Sequence, residues 1–202
     1  DFGIFEIGMD KKGEIDYLSK IIKPDVGVIT NISYAHIKNF KNINQIALAK
    51  AEIIKNIKEG GFLILNKDDK FYNFHKRMGL KRKLKILSFS LLNKSATVNL
   101  ESISKEKSRY KIFVNINKIK RCFYFNSFFE NDLKNLLATI TIISIYRNIF
   151  KLNKEFFYNL KAMEGRGDIV KIKLFKKFFY LVDESYNSNP LSLKSALKNF
   201  DM

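Results

Sequence analysis

Lys23-Pro24-Asp25-Val26-Gly27-Val28-Ile29-Thr30-Asn31-Ile32 is the stretch on which the fold turns. Proline locks its own φ and disfavours helix at the residue before it, so Pro24 ends any helix that precedes it. Val26 to Ile32 then reads as a continuous apolar run, not an alternating one. Such a run marks a strand buried on both faces, the condition of strands in parallel sheets. Toward the N-terminus, Ile15, Leu18 and Ile22 share one face of a helix predicted over 13–22 and stopped by Pro24. Ahead of it, Phe2-Gly3-Ile4-Phe5-Glu6-Ile7-Gly8 reads as a short apolar strand starting at the first residue, which puts the chain's beginning inside a domain. Toward the C-terminus, a helix over 43–57 closes at Gly60-Gly61, and Phe62 to Leu65 supplies a third strand. Strand, helix, strand, helix, strand predicts an α/β fold: a mostly parallel sheet flanked by helices, with right-handed crossovers.

Beyond Lys85 the period changes. Tyr110-Lys111-Ile112-Phe113-Val114-Asn115-Ile116 alternates, so residues 85–125 predict a small antiparallel β portion built of hairpins. A long apolar helix is predicted over 132–150 and a shorter one over 154–163. Gly165-Arg166-Gly167 interrupts the pattern, 178–182 reads as a strand, and a helix begins at 191–200. These breaks divide the chain into a domain over 1–164 and the start of a second, truncated one over 165–202.

The 202 residues hold 37 Lys and Arg against 20 Asp and Glu, a formal net charge of +17 that raises anionic partners. The lysines are spread along the chain, however. The one dense run, Lys76, Arg77, Lys81, Arg82, Lys83 and Lys85, comes with no nucleic-acid-binding motif, and reads as a solvated basic surface. Heavy use of Lys, Asn, Ile and Phe fits A/T-rich coding, which inflates the charge without a functional cause. A single cysteine, Cys122, excludes an internal disulfide, and no basic-then-apolar leader opens the chain. No apolar run approaches the ~20 residues of a spanning helix. The expectation is a cytoplasmic monomer with no nucleic-acid partner and no membrane insertion.

In open parallel sheets, ligands bind beyond the carboxyl ends of the strands. Glu6 ends the first predicted strand, Asn31 and His36 follow the second, and Asn66, Asp68 and Asp69 follow the third. Taken singly, Glu6 also reads as a surface carboxylate and His36 as a structural histidine; their shared location singles them out. Lys50 is the most informative residue. It falls in the middle of the apolar stripe Ile43, Ile46, Ala47, Ile53, Ile54, Ile57, so it points inward. Desolvation lowers a lysine's pKa, by ~3–5 units at full burial, and a neutral amine can take up carbon dioxide as a carbamate. That converts a cation into an oxygen ligand, and Glu6, His36 and a carbamylated Lys50 then suit magnesium. Periodicity alone leaves open the alternative that Lys50 lays its stem on the core and reaches water.

Glu6-Ile7-Gly8-Met9 with Lys12-Gly13-Glu14-Ile15, then the 23–32 stretch with Ala35-His36, resembles the central ATPase domain of the Mur ligases. Ala49-Lys50-Ala51-Glu52-Ile53 resembles the segment that carries the family's carbamylated lysine, and Leu65-Asn66-Lys67-Asp68-Asp69 its next strand end. Gly165-Arg166-Gly167 and Asp183-Glu184-Ser185-Tyr186-Asn187-Ser188-Asn189-Pro190 resemble the hinge and the start of the C-terminal domain. The resemblance implies ATP-dependent amide ligation through an acyl phosphate, with ATP and Mg2+ as cofactors. Ala35-His36 and the 186–190 run point to the branch that joins D-alanyl-D-alanine to UDP-N-acetylmuramoyl-tripeptide. Third-residue-adding ligases and folylpolyglutamate synthases share the central domain and stand as alternatives, as does a basic non-catalytic binding module. By resemblance, Glu6, His36 and Lys50 are the catalytic, metal-holding residues. Asn135 contacts adenine, Arg166 the nucleotide across the hinge, and Glu184, with Asp183 beside it, the ribose or an arginine.

Two departures accompany the likeness. Phe129-Glu130-Asn131 stands where the family has Gly-x-His-x-x-x-Asn, so only Asn135 matches. No Gly-x-x-Gly-Lys-Thr/Ser phosphate loop occurs in the chain, which reads as part of a longer protein and inactive alone.

Overall fold

Gly13 and Pro24 bracket the first helix. In the computed structural model, which describes residues 1–33, 39–107, 109–160, 168–183, 193 and 197, helix α1 spans Glu14–Ile22. Gly13 precedes it at φ 96°, a left-handed backbone that glycine adopts without strain, and Lys23 closes it with its N–H on the Ser19 carbonyl at 2.8 Å. Strand β1 (Val26–Ile29) follows, then α2 (Ile43–Lys50), α3 (Ile53–Asn56), β2 (Phe62–Asn66), α4 (Tyr72–Lys81) and β3 (Lys85–Ser90). The chain continues through β4 (Val98–Glu106), β5 (Arg109–Ile116), β6 (Ile119–Phe125) and the long helix α5 (Glu130–Tyr146). A short 3-10 turn at Ile149–Lys151 comes next.

All six strands form one sheet in the order β1-β2-β3-β4-β5-β6. The first four run parallel and the last two pairings are antiparallel. Strand β2 shows why the apolar runs do not alternate. Leu63 and Leu65 enter a core cluster with Ile46, Ala47, Ile54 and Ile57 from α2, α3 and the turn after them, while Ile64 enters the opposite cluster with Leu136, Leu137 and Ile140 of α5. Every side chain of β2 from Leu63 onward is therefore buried. The chain divides into two compact units, Asp1–Tyr158 and Asn159–Met202. In the second, β7 (Asp168–Leu174) and β8 (Lys177–Asp183) pair as a hairpin, turned through Phe175 and Lys176 at φ 48° and 61°.

Several sequence expectations need correction. Residues 1–9 form no strand, and Phe2, Ile4 and Phe5 are exposed. Apolar composition is necessary for a buried strand, but a ladder partner decides it, and β1 remains the outer strand of the sheet. Strand β1 also ends at Ile29, three residues early. The predicted helix over 43–57 tightens after Lys50 into i→i−3 bonds, from Glu52 N–H to the Ala49 carbonyl and from Lys55 N–H to the Glu52 carbonyl, both at 3.1 Å. Residues 85–90, expected in a hairpin, form the parallel strand β3, and the antiparallel strands extend the same sheet. Residues 154–159 are turns instead of helix, β7 was not foreseen, and the expected domain boundary between 164 and 165 lies outside the described residues.

Candidate active site

The site lies where β1 ends. Thr30, Asn31 and Ser33 follow the strand and line a cleft of about 1270 Å³ together with Glu6, Lys50 and Tyr146. Glu6 is exposed on this wall, on the segment preceding α1. Lys50 reaches the cleft as the last residue of α2, a helix started by the Asn42 side chain, whose Oδ1 accepts from the Gln45 N–H at 3.1 Å. The Lys50 side chain is half-buried, and its Nζ donates to the Asn31 carbonyl at 3.0 Å. Burial pushes its pKa below the ordinary 10.5, and the negative charge of Asp69 pushes partly back. The inward orientation read from periodicity is thus present, with the amine tethered to backbone and not free in water.

Three further groups hold this arrangement. Asp69, just past β2, accepts the Ile32 N–H on Oδ2 at 2.7 Å and the Phe71 N–H on Oδ1 at 2.8 Å. His75 of α4 is buried, with Nε2 at 3.0 Å from the Ala47 carbonyl. A carbonyl only accepts, so Nε2 carries the proton, and burial pushes the ring's pKa below its usual 6.5. Glu52 is buried two residues past Lys50 and accepts from the N–H groups of Gly13 (2.9 and 3.0 Å) and Asp16 (3.1 Å). Gly13 has no side chain to cap α1, so a carboxylate 39 positions away in sequence supplies the cap.

The structure therefore brings Glu6 and Lys50 to one cleft. His36, Arg166 and Glu184 lie outside the described residues. Asn135 is exposed on α5, outside the lining of this cleft, and Asp183 is the last residue of β8 in the second unit. Among the described residues no three His, Cys, Asp or Glu side chains cluster closely enough to hold a metal. Side-chain oxygens that line the cleft, among them those of Glu6, Thr30, Asn31 and Ser33, are of the hard type that magnesium prefers. Sequence reading missed Glu52 and His75. His75 was legible from its spacing, since Phe71, His75, Met78 and Gly79 share one helical face. Glu52 had a weaker signal, a carboxylate between Ala51 and the Ile53-Ile54 pair.

These features define an α/β domain whose site lies beyond the carboxyl ends of parallel strands. A profile of the Mur ligase middle domain matches residues 1–143, and the chain belongs to that family. A UDP-N-acetylmuramoyl-tripeptide–D-alanyl-D-alanine ligase of Rickettsia prowazekii is 30% identical over 202 residues, 98% of this chain and 43% of the relative. The enzyme of the same name from Buchnera aphidicola is 29% identical, covering 98% and 42%. The crystal structure of MurF from Acinetobacter baumannii superposes with a TM-score of 0.79 at 25% identity, over 95% of this chain and 40% of that one. The chain thus spans about two fifths of the length of these relatives. Among the described residues no helix is long and apolar enough to cross a membrane.

Proposed function

We propose that these residues are the central domain, and the start of the following one, of an ATP-dependent amide ligase of peptidoglycan precursor synthesis. It joins D-alanyl-D-alanine to UDP-N-acetylmuramoyl-tripeptide in the cytoplasm. The names of the relatives support the substrates, and the observation that carries the chemistry is the tethered Lys50 amine in the same cleft as Glu6. A substrate carboxylate oxygen attacks the γ-phosphorus of ATP and ADP departs, leaving an acyl phosphate. The amine of D-alanyl-D-alanine then attacks the acyl carbon, loses a proton and expels phosphate as the amide forms.

Lys50 serves this sequence as a carbamate. Its neutral nitrogen bonds to carbon dioxide and gives a proton to water, and the carbamate nitrogen keeps one N–H. That N–H still satisfies the Asn31 carbonyl, which leaves both carbamate oxygens for the cleft. Glu6, His36 and carbamylated Lys50 would hold magnesium, whose chemistry in such a site is neutralisation of charge on transferring phosphoryl oxygens. Asn135, Arg166, Glu184 and Asp183 serve the nucleotide. With no phosphate loop among them, the 202 residues alone are expected not to ligate. In the full-length enzyme, Lys50→Ala is expected to abolish ligation, and added bicarbonate or short carboxylic acids to restore part of it. Wild-type turnover by Lys50→Ala would end this assignment.

A further inference from the structure

We infer that Asp69 is a positioning residue for Lys50, acting through the single peptide group that joins Asn31 to Ile32. The inference rests on the role proposed for Lys50 and adds what aims it. The carbonyl of that peptide group accepts from Lys50 Nζ at 3.0 Å, and its N–H donates to Asp69 Oδ2 at 2.7 Å. The peptide is trans, so its C=O and N–H point in opposite directions, and the amine and the carboxylate grip its two sides. A charge-assisted bond on the N–H polarises the carbonyl and strengthens it as an acceptor. Asp69 itself cannot swing away, because its other oxygen accepts the Phe71 N–H at 2.8 Å.

The same short segment also holds α2. Four residues after Phe71, His75 bonds the Ala47 carbonyl, one turn before Lys50. The amine and its acceptor are therefore both referenced to residues 69–75. Asp69 does not line the cleft, so beyond the pull of its charge on the Lys50 amine it acts on the chemistry through the peptide group and not through contact with a reactant.

Asp69→Ser separates this role from a structural one. Serine can still accept the Phe71 N–H in a side-chain turn, but it is too short to reach Ile32. In the full-length protein with 13C-carbonyl asparagine and 15N isoleucine, the Asn31–Ile32 cross-peak is assigned by its loss in Ile32→Val. Lys50→Met is expected to shift the Asn31 carbonyl carbon, and Asp69→Ser to shift it part of the way in the same direction. In the Lys50→Met background, Asp69→Ser is expected to add little. A carbonyl signal unmoved by Asp69→Ser, or moved equally with and without Lys50, overturns the inference. This readout needs no turnover, so it stands apart from the fate of the carbamate. Asp69→Asn carries the same comparison should Asp69→Ser fail to fold. In turnover, Asp69→Ser is expected to lower kcat about 10- to 100-fold with little change in KM for ATP, and an unchanged kcat counts against it.

Discussion

Replacing Glu52 by glutamine tests whether a distant carboxylate really caps α1. The residue is 6% exposed, so little water can reach a bond that its carboxylate gives up. Its Oε1 accepts from the Gly13 N–H at 2.9 Å, and its Oε2 from the Gly13 and Asp16 N–H groups at 3.0 and 3.1 Å. Glutamine keeps the volume but turns one oxygen into an NH2 group. Oriented to satisfy Gly13, it presents donor against donor at Asp16. A buried donor left without its acceptor costs about 1–3 kcal/mol, and a negative charge near a helix N-terminus contributes about 0.3–1 kcal/mol more. The sum is about 1.3–4 kcal/mol. At about 1.4 kcal/mol per factor of ten, the amides of α1 should then exchange with solvent about 10- to 700-fold faster. Amide exchange measured by mass spectrometry in the full-length protein reads this directly. Glu14→Gln is the control: Glu14 accepts from the Asp10 and Lys11 N–H groups near the surface, where water replaces it, and α1 should change little. Equal exchange in Glu52→Gln and Glu14→Gln would refute the capping argument.

Two further outcomes follow from the core. His75 is held neutral by burial, with its pKa lowered from 6.5, so between that value and the folded pKa the unfolded chain binds more protons than the native one. Stability should therefore fall as pH drops below about 6.5, and His75→Gln, which can still donate to the Ala47 carbonyl, should flatten that fall in urea titrations at pH 7 and pH 5; parallel curves would count against it. A Cβ on Gly61 would meet the Asp25 and Lys58 carbonyl oxygens at 2.7 and 2.8 Å, whereas one on Gly79 would meet the tips of Ile86 and Leu63, both at 2.7 Å. Backbone cannot yield as side-chain tips can, so Gly61→Ala should cost about 2–3 kcal/mol. Gly79→Ala should cost about 1 kcal/mol or less, because better helix propensity offsets the repacking; a reversed order of unfolding midpoints would show the reasoning wrong.

The candidate site was legible in part. Lys50 could be found because a helix repeats every 3.6 residues, so one cation among Ile43, Ile46, Ala47, Ile53 and Ile54 announces itself without any knowledge of neighbours. The strand that leads to Asn31 could be found because Pro24 and an apolar run are likewise local signals, although its end at Ile29 could not. Asp69 was visible as a polar residue after a strand, but not as the partner of Ile32, 37 positions earlier.

The helix stopped by Pro24, the parallel strands β1 and β2 with α2 between them, and the inward face of α2 were written in local periodicity, and a single cysteine excluded a disulfide scaffold. Tertiary structure decided the rest: that residues 1–9 lack a ladder, that β4, β5 and β6 extend the same sheet, that Glu52 serves a helix 39 positions away, and that Lys50 and Asp69 meet across one peptide group. The physical reason is the reach of each signal. Side-chain periodicity records which face of an element is apolar, whereas hydrogen bonds between distant segments depend on register and packing, and these exist only once the sheet has formed.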